Sequence, residues 1–289
     1  MNIYIQDINS DYNGFNSLIN LEHQLSELTF EEIYIDMSAV NWFDANMAAP
    51  FGAILYKTSR NSNSITICNT TSGIEKILSK NNFLSYYGHS RKFDTYRTTI
   101  EYRRFETKDS LDFVNYIKMY LVGKGLPDMS IGLRRKFELS LYEIFENAVV
   151  HSNTELGIYS CGQYFPNINR LDFTITDLGI GFRRNIKERI GLNISSDQAI
   201  EWAISEIHTT KTGSIPGGNG LKLLKEFISL NGGCVQIVSD RGYWQMKYGN
   251  IISKSFLLPF PGSIINLEFN TADSKKYQLS SEISPNEIF

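Results

Sequence analysis

One segment constrains this chain more than any other. Between residues 130 and 152, Phe137, Leu141, Ile144, Phe145, Ala148 and Val149 recur at three- and four-residue steps, the period that lines one face of an α-helix. The same segment carries Glu143 and Asn147 four residues apart, with His151 continuing the line, so an acid, an amide and an imidazole share another face. Taken alone, that stripe also fits the solvated side of an amphipathic helix.

The rest of the chain gives this helix a setting. A strand at 96–106 and a helix at 109–122 precede it. Strand-like runs follow at 156–163 and 170–176, then a helix at 197–207, a glycine-rich segment, a helix at 221–230, and strands near 234–239, 243–248 and 264–269. Residues 96–270 therefore read as an α+β domain, with helices packed on one face of a mixed sheet. Residues 1–95 alternate instead, with helices at 14–28, 44–59 and 71–85 and strands at 32–36 and 64–69, which predicts a small α/β domain. The polar stretch 271–289 is expected to be a frayed tail.

Composition narrows the classes. The chain has 289 residues, 42% hydrophobic and 20% charged, with 18 Phe, 16 Tyr and 3 Trp, enough for packed cores and against long disorder. A net charge of −3 gives no sequence-wide attraction to nucleic acid or to a membrane surface. The apolar run 45–56 is shorter than the ~20 residues that span a bilayer. The opening MNIYIQDINSD has acids where a secretory signal carries basic and then apolar residues, so a cytoplasmic location is expected. Cys68, Cys161 and Cys234 lie far apart without metal-ligand spacing and read as reduced thiols.

Two further segments could carry chemistry. Asp177-Leu178-Gly179-Ile180-Gly181 follows an apolar strand, placing a carboxylate at the strand end and glycines where a flat ring could approach. A simple strand-to-helix turn has the same pattern. The run GSIPGGNGL, residues 213–221, leads into an apolar helix, and clustered amides at a helix start bind anions. It also fits a flexible turn, and it matches neither the dinucleotide fingerprint nor a Walker loop.

The order of the three segments, E-x-x-x-N, then D-x-G-x-G, then G-x-G-L at a helix start, resembles the ATP-binding domain shared by gyrase, Hsp90, histidine kinases and MutL, the GHKL or Bergerat fold. The likeness covers roughly residues 105–270. Within that group, SLYEIFENAVVHS is similar to the anti-sigma-factor serine kinases, which have a Glu four residues before the Asn and a His four after it. The resemblance implies an α/β sandwich that binds ATP and Mg²⁺. It implies that Asn147 holds the metal and Glu143 orients or deprotonates the attacking group. Asp177 would contact the adenine amine, Gly179 and Gly181 would shape the base pocket, and His151 and Leu221 would belong to the nucleotide site. Gly218 and Gly220 would meet the phosphates. Lys211 is the candidate cation, with Lys222 or a merely solvated lysine as alternatives. Residues 208–219 stand where that family has a mobile lid. The implied partner is a protein, STAS-like or sigma-factor-like, and a homodimer is left open.

The run YIDMSAVNWFDANMAAPFGAIL, residues 34–55, resembles the strand-loop-helix of STAS domains, in which D-S-S/T-G presents a phosphorylatable hydroxyl. Here Asp44-Ala45-Asn46-Met47 has neither Ser nor Thr, so docking is the expected role, and Asp44 and Asn46 read as helix caps. His23 and His89 lack the pattern around a phosphorylatable histidine on a dimerisation helix.

Overall fold

The computed structural model describes residues 1–121, 123–205 and 219–282. At the N-terminus, β1 (Asn2–Tyr4), β2 (Glu32–Asp36) and β3 (Ser64–Cys68) form a parallel sheet in that order, crossed by α1 (Tyr12–Leu25), α2 (Ala48–Arg60) and α3 (Ser72–Lys80). α1 begins where the Asp11 carboxylate accepts the Gly14 N–H at 2.8 Å, satisfying an amide that the first turn leaves without a partner. Its Phe15, Leu18, Ile19 and Leu25 are fully buried.

The remainder runs β4 (Thr99–Phe105), α4 (Ser110–Leu121), β5 (Asp128–Met129), α5 (Ile131–His151), β6 (Ile158–Phe165), β7 (Arg170–Asp177), α6 (Gly181–Ile190), α7 (Ser196–Ile204), α8 (Asn219–Asn231), β8 (Cys234–Lys247), β9 (Asn250–Asn270) and β10 (Lys276–Tyr277). The class is α+β, as the periodicities predict. The larger sheet has the order β4-β6-β7-β9-β8. It was expected to be mixed, but every pairing in it among the described residues is antiparallel. For two of the four pairings the reason is connection length. β6 reaches β7 through a short 3-10 turn, and β8 reaches β9 through Tyr248 and Gly249, whose φ values of 51° and 76° suit a type I′ hairpin turn.

β8 also doubles back on itself. Cys234 pairs with Glu268, and Lys247, at the other end of the strand, meets the same Glu268 at 3.2 Å. The reversal falls at residues 240–242, where the register slips and Asp240 has φ 52°. This bend is the break that the sequence shows between 239 and 243.

Both faces of this sheet are covered. Leu171, Phe173 and Ile175 of β7 enter a core with Phe113 of α4, Phe145 of α5 and Phe227 of α8. On the opposite face Tyr159, Cys161, Val238, Tyr243, Phe260 and Ile264 share one apolar cluster with Phe15, Phe51 and Phe83. The two regions that read as separate domains thus bury a common core. Tyr12 of α1 stacks on Phe256 with ring centroids 4.6 Å apart and donates its hydroxyl to the Ser255 carbonyl at 2.9 Å.

At the centre of that contact the packing is polar. Asn46 is fully buried, and its Nδ2 lies 2.9 Å from Ser10 Oγ, 3.1 Å from Thr174 Oγ1 and 3.0 Å from Asn266 Oδ1. Asp44 accepts the Ser10 N–H at 2.7 Å and the Trp42 indole N–H at 3.0 Å, and pairs with Arg170 at 3.0 Å. Asp44 stands at the N-cap position of a 3-10 turn at Ala45–Met47, as a cap reading expects, but its side chain makes no cap hydrogen bond there; Asn46 lies inside that turn, and α2 starts from Met47 with no side-chain cap. The sheet supplies partners that the local sequence could not reveal.

The stretch expected to fray is pinned as far as residue 282. β10 pairs with β5, and Glu282 accepts the Gly132 N–H at the start of α5 at 3.2 Å. All three cysteines are free, as their spacing suggests. Among the described residues no helix is long and apolar enough to cross a membrane.

Removing the Asn46 amide takes a buried donor away from Thr174 and Asn266, which keep their own hydrogen bond at 2.7 Å but lose the link to the N-terminal region, at a cost of about 1–3 kcal/mol. Asn46→Ala is therefore expected to lower the urea midpoint while unfolding stays a single transition by fluorescence and circular dichroism. Two separated transitions would contradict the shared core.

Candidate functional site

The helical stripe meets the end of β7 in a pocket. Ile144, Asn147, Ala148 and His151 of α5 follow the i, i+3, i+4, i+7 pattern that puts side chains on one face, and all four line it. Ile175 and Asp177 of β7, Ser263 and Ile265 of β9, and Leu221 of α8 supply other walls. α6 closes the pocket with Phe182, Asn185 and Ile186, and α7 with Trp202 and Ala203. The enclosed space is about 120 Å³. Since whole-ligand clefts usually run to several hundred Å³, it accommodates a planar ring rather than a complete nucleotide. Its walls are mostly aliphatic and aromatic, and the Asp177 carboxylate is set among them.

Asp177 is 2% exposed. Its carboxylate accepts the Gly179 N–H at 2.8 Å and the Ser263 hydroxyl at 2.6 Å. Burial dominates over these hydrogen bonds and pushes its pKa up from 3.8 to about 6. Ser263 stands opposite Asp177 in the β7–β9 register. That partner was not foreseen, because the pattern marked β9 only from residue 264 and a serine carries no strand signal.

The loop after β7 is fastened on several sides. Ile180 N–H donates to the Ser152 carbonyl at 2.7 Å at the end of α5, and Phe182 N–H donates to Ser239 Oγ at 2.9 Å. Gly179 belongs to this fastening and does not line the pocket: a Cβ there would lie 2.0 Å from Ser152 O. Gly181 does line it, with φ +69° and Ser239 Oγ 2.7 Å from where a Cβ would stand. α6 itself was not foreseen, since its run GFRRNIKERI offers apolar residues only at Phe182, Ile186 and Ile190. Those positions are four apart and face inward in part.

Glu143 sits one turn before Asn147, against the start of α8. Its Oε2 accepts the Gly220 N–H at 2.7 Å, and a Cβ on residue 220 would lie 2.6 Å from that oxygen. The structure thus brings together Glu143, Asn147, His151, Asp177, Gly181, Gly220 and Leu221 from three separate stretches of chain. Lys222 pairs with Glu226 at 3.9 Å on α8. Lys211 and Gly218, and the expected lid at 208–219 up to residue 218, lie outside the described residues. Among the described residues no three His, Cys, Asp or Glu side chains gather as a metal site. A comparison with protein-family models finds no match for the chain, and a comparison with curated proteins finds none either.

The Asp177 carboxylate carries a stability cost. Its pKa lies above the unfolded value, so the folded state binds the proton more tightly, and stability contributed by the neutral form is lost as pH rises from 3.8 through about 6. The difference corresponds to roughly 3 kcal/mol. Asn in its place can accept from Gly179 and donate to Ser263 without a buried charge. Asp177→Asn is expected to raise the thermal midpoint at pH 8 by several degrees and to leave it nearly unchanged near pH 4. A lowered midpoint at pH 8 would refute this account.

Proposed function

We propose that the chain is an ATP·Mg²⁺-binding regulatory protein with a Bergerat-type nucleotide domain and a STAS-like N-terminal unit, controlling a protein partner through nucleotide state. The convergence of Glu143, Asn147 and His151 on α5 with Asp177 and the Gly220-Leu221 helix start carries the reading. A carboxylate buried among apolar walls suits an adenine, whose exocyclic amine donates while its faces pack against Ile144, Ile175 and Ile186. Mg²⁺ at phosphate sites takes most of its ligands from phosphates and water and one or two from protein. Asn147, with Glu143 one turn away, fits that limited demand, so the lack of a protein-only metal cluster among the described residues does not count against it. Asn147 would hold the metal, which neutralises phosphate charge when bound.

The Glu143–Gly220 hydrogen bond adds a second reading within the same site. An amide at a helix start is one that an anion seeks, and here a carboxylate holds it at 2.7 Å. With Glu143 so engaged, ATP binding without chemistry is the competing function, a noncatalytic interaction switch. A phosphate at Gly220 would take over the amide and release Glu143, which is the condition for Glu143 to act as a base in ATP hydrolysis or in phosphorylation of a partner's Ser or Thr.

The N-terminal unit supports a docking role over a phospho-switch. Asn46, where STAS domains place a phosphorylatable hydroxyl, is buried against the sheet.

Calorimetry with ATP·Mg²⁺ and GTP·Mg²⁺ tests the reading. ATP is expected to bind at least tenfold tighter than GTP, with the preference lost in Asp177→Asn; no heat from ATP, or a preference that survives the substitution, would overturn it. Single-turnover assays with labelled ATP separate the two forms. Phosphate release or transfer that falls at least a hundredfold in Glu143→Gln with ATP binding retained indicates catalysis, and binding without turnover in the unaltered protein indicates the switch.

A further inference from the structure

A second cleft lies behind the same loop. It encloses about 520 Å³ between the two units, bounded by Glu22 of α1, Lys57 of α2, the Gly179-Ile180 turn, Arg183, Arg184 and Lys187 of α6, Asp240 at the β8 reversal and the Pro259–Gly262 stretch of β9. That volume falls within the range of small-molecule sites. Four cations and two carboxylates face it. Both carboxylates are already engaged, Glu22 with Lys57 at 2.6 Å and Asp240 with Arg183 at 3.4 Å. Arg184 turns to Glu188 at 2.6 Å in an exposed ion pair of the kind that contributes little. The cleft therefore keeps a positive excess from Arg184 and Lys187. Guanidinium groups suit phosphate oxygens in particular, because their planar donors engage two at once.

α6 is a partition between this cleft and the first pocket. Phe182, Asn185 and Ile186 face the pocket, and Arg183, Arg184 and Lys187 face the cleft. The loop before α6 is shared in the same way, Asp177 and Gly181 on one side and Gly179 and Ile180 on the other. Gly262, at the cleft wall, lies so near that a Cβ on it would stand 2.2 Å from the Asp177 carbonyl oxygen.

We propose that this cleft is a regulatory site for a small phosphorylated anion, and that α6 and its preceding loop couple its occupancy to the base pocket. An anion drawn between Arg184, Lys187 and Lys57 would pull the basic face of α6 toward α2, and Phe182 and Ile186 move with the same helix. The binding half stands without the nucleotide reading; the coupling half rests on it.

The test uses the full chain, inorganic pyrophosphate and ribose 5-phosphate as probes, and calorimetry without nucleotide. At least one probe is expected to bind, and to bind at least tenfold more weakly to Arg184→Glu/Lys187→Glu. Preference between the probes tells whether an inorganic or an organic phosphate is the better guest, and either preference supports the site. Both substituted residues are exposed, and circular dichroism checks that the variant folds; Lys187→Ala gives a milder version with a several-fold loss expected. No binding of either probe overturns the site, as does binding that the cleft substitutions leave intact. Coupling is read with adenosine, which lacks phosphate. Its affinity should change at least threefold at saturating probe in the unaltered protein and not in the double variant, and the probe's affinity must change by the same factor when adenosine saturates. Unchanged adenosine affinity overturns the coupling while leaving the site, whereas no adenosine binding at all counts against the nucleotide reading instead.

Discussion

β7 is buried along its whole course from Leu171 to Asp177, and that double burial is the constraint on which the rest of the molecule depends. An antiparallel sheet commonly packs one face and leaves the other in water. Here the helices of the second region take one face and α1 and α2 take the other, so β7 is a central wall with a core on each side. A strand held this way delivers its last residue to a fixed place. Asp177 consequently meets α5 and Ser263 in a defined geometry without any need for local rigidity in the turn that follows.

The polar centre of the second face belongs to the same constraint. Apolar packing is non-directional, and Tyr243, Phe256 and Phe260 would tolerate several placements of the N-terminal unit. The contacts of Asn46 with Thr174 and Asn266, and of Asp44 with Arg170, are directional and have partners at one register only. Asp172 shows the cost of this arrangement. It is fully buried beside Arg170 at 3.0 Å with neither carboxylate oxygen hydrogen-bonded among the described residues, and burial holds its pKa well above the ordinary carboxylate range.

Periodicity and short motifs were enough to read α1, α2, α5, β2 and β7 to within a few residues, because each carries its own apolar pattern. Glu143, Asn147, His151 and Asp177 stand in segments that are undistinctive one at a time, and only the order of the three segments along the chain pointed to them. What the sequence withheld was tertiary. Ser263, Asn185 and Trp202 become pocket residues only through the β7–β9 register and the placement of α6 and α7. The antiparallel direction of the sheet depends on connections, and the seating of Asn46 depends on a strand more than a hundred positions away. Gly179 looked like part of a ring-binding surface because a glycine beside a carboxylate has that appearance. Its missing side chain instead makes room for the backbone of Ser152.

The fastening of the 177–182 loop explains how one short motif can serve two cavities. Ser152 O holds Ile180, Ser239 Oγ holds Phe182 and at the same time donates to the Gly262 carbonyl at 2.9 Å, and Ser263 holds Asp177. These contacts tie α5, β8 and β9 to one turn, so the turn cannot move independently of the elements that form the walls on either side. A loop free on one side would absorb a displacement locally. A loop tied at three points passes it on, because packed interiors resist compression and shift as units. A displacement of α6 would therefore be felt at the Asp177 carboxylate in the first pocket, and a change at that carboxylate would be felt at α6.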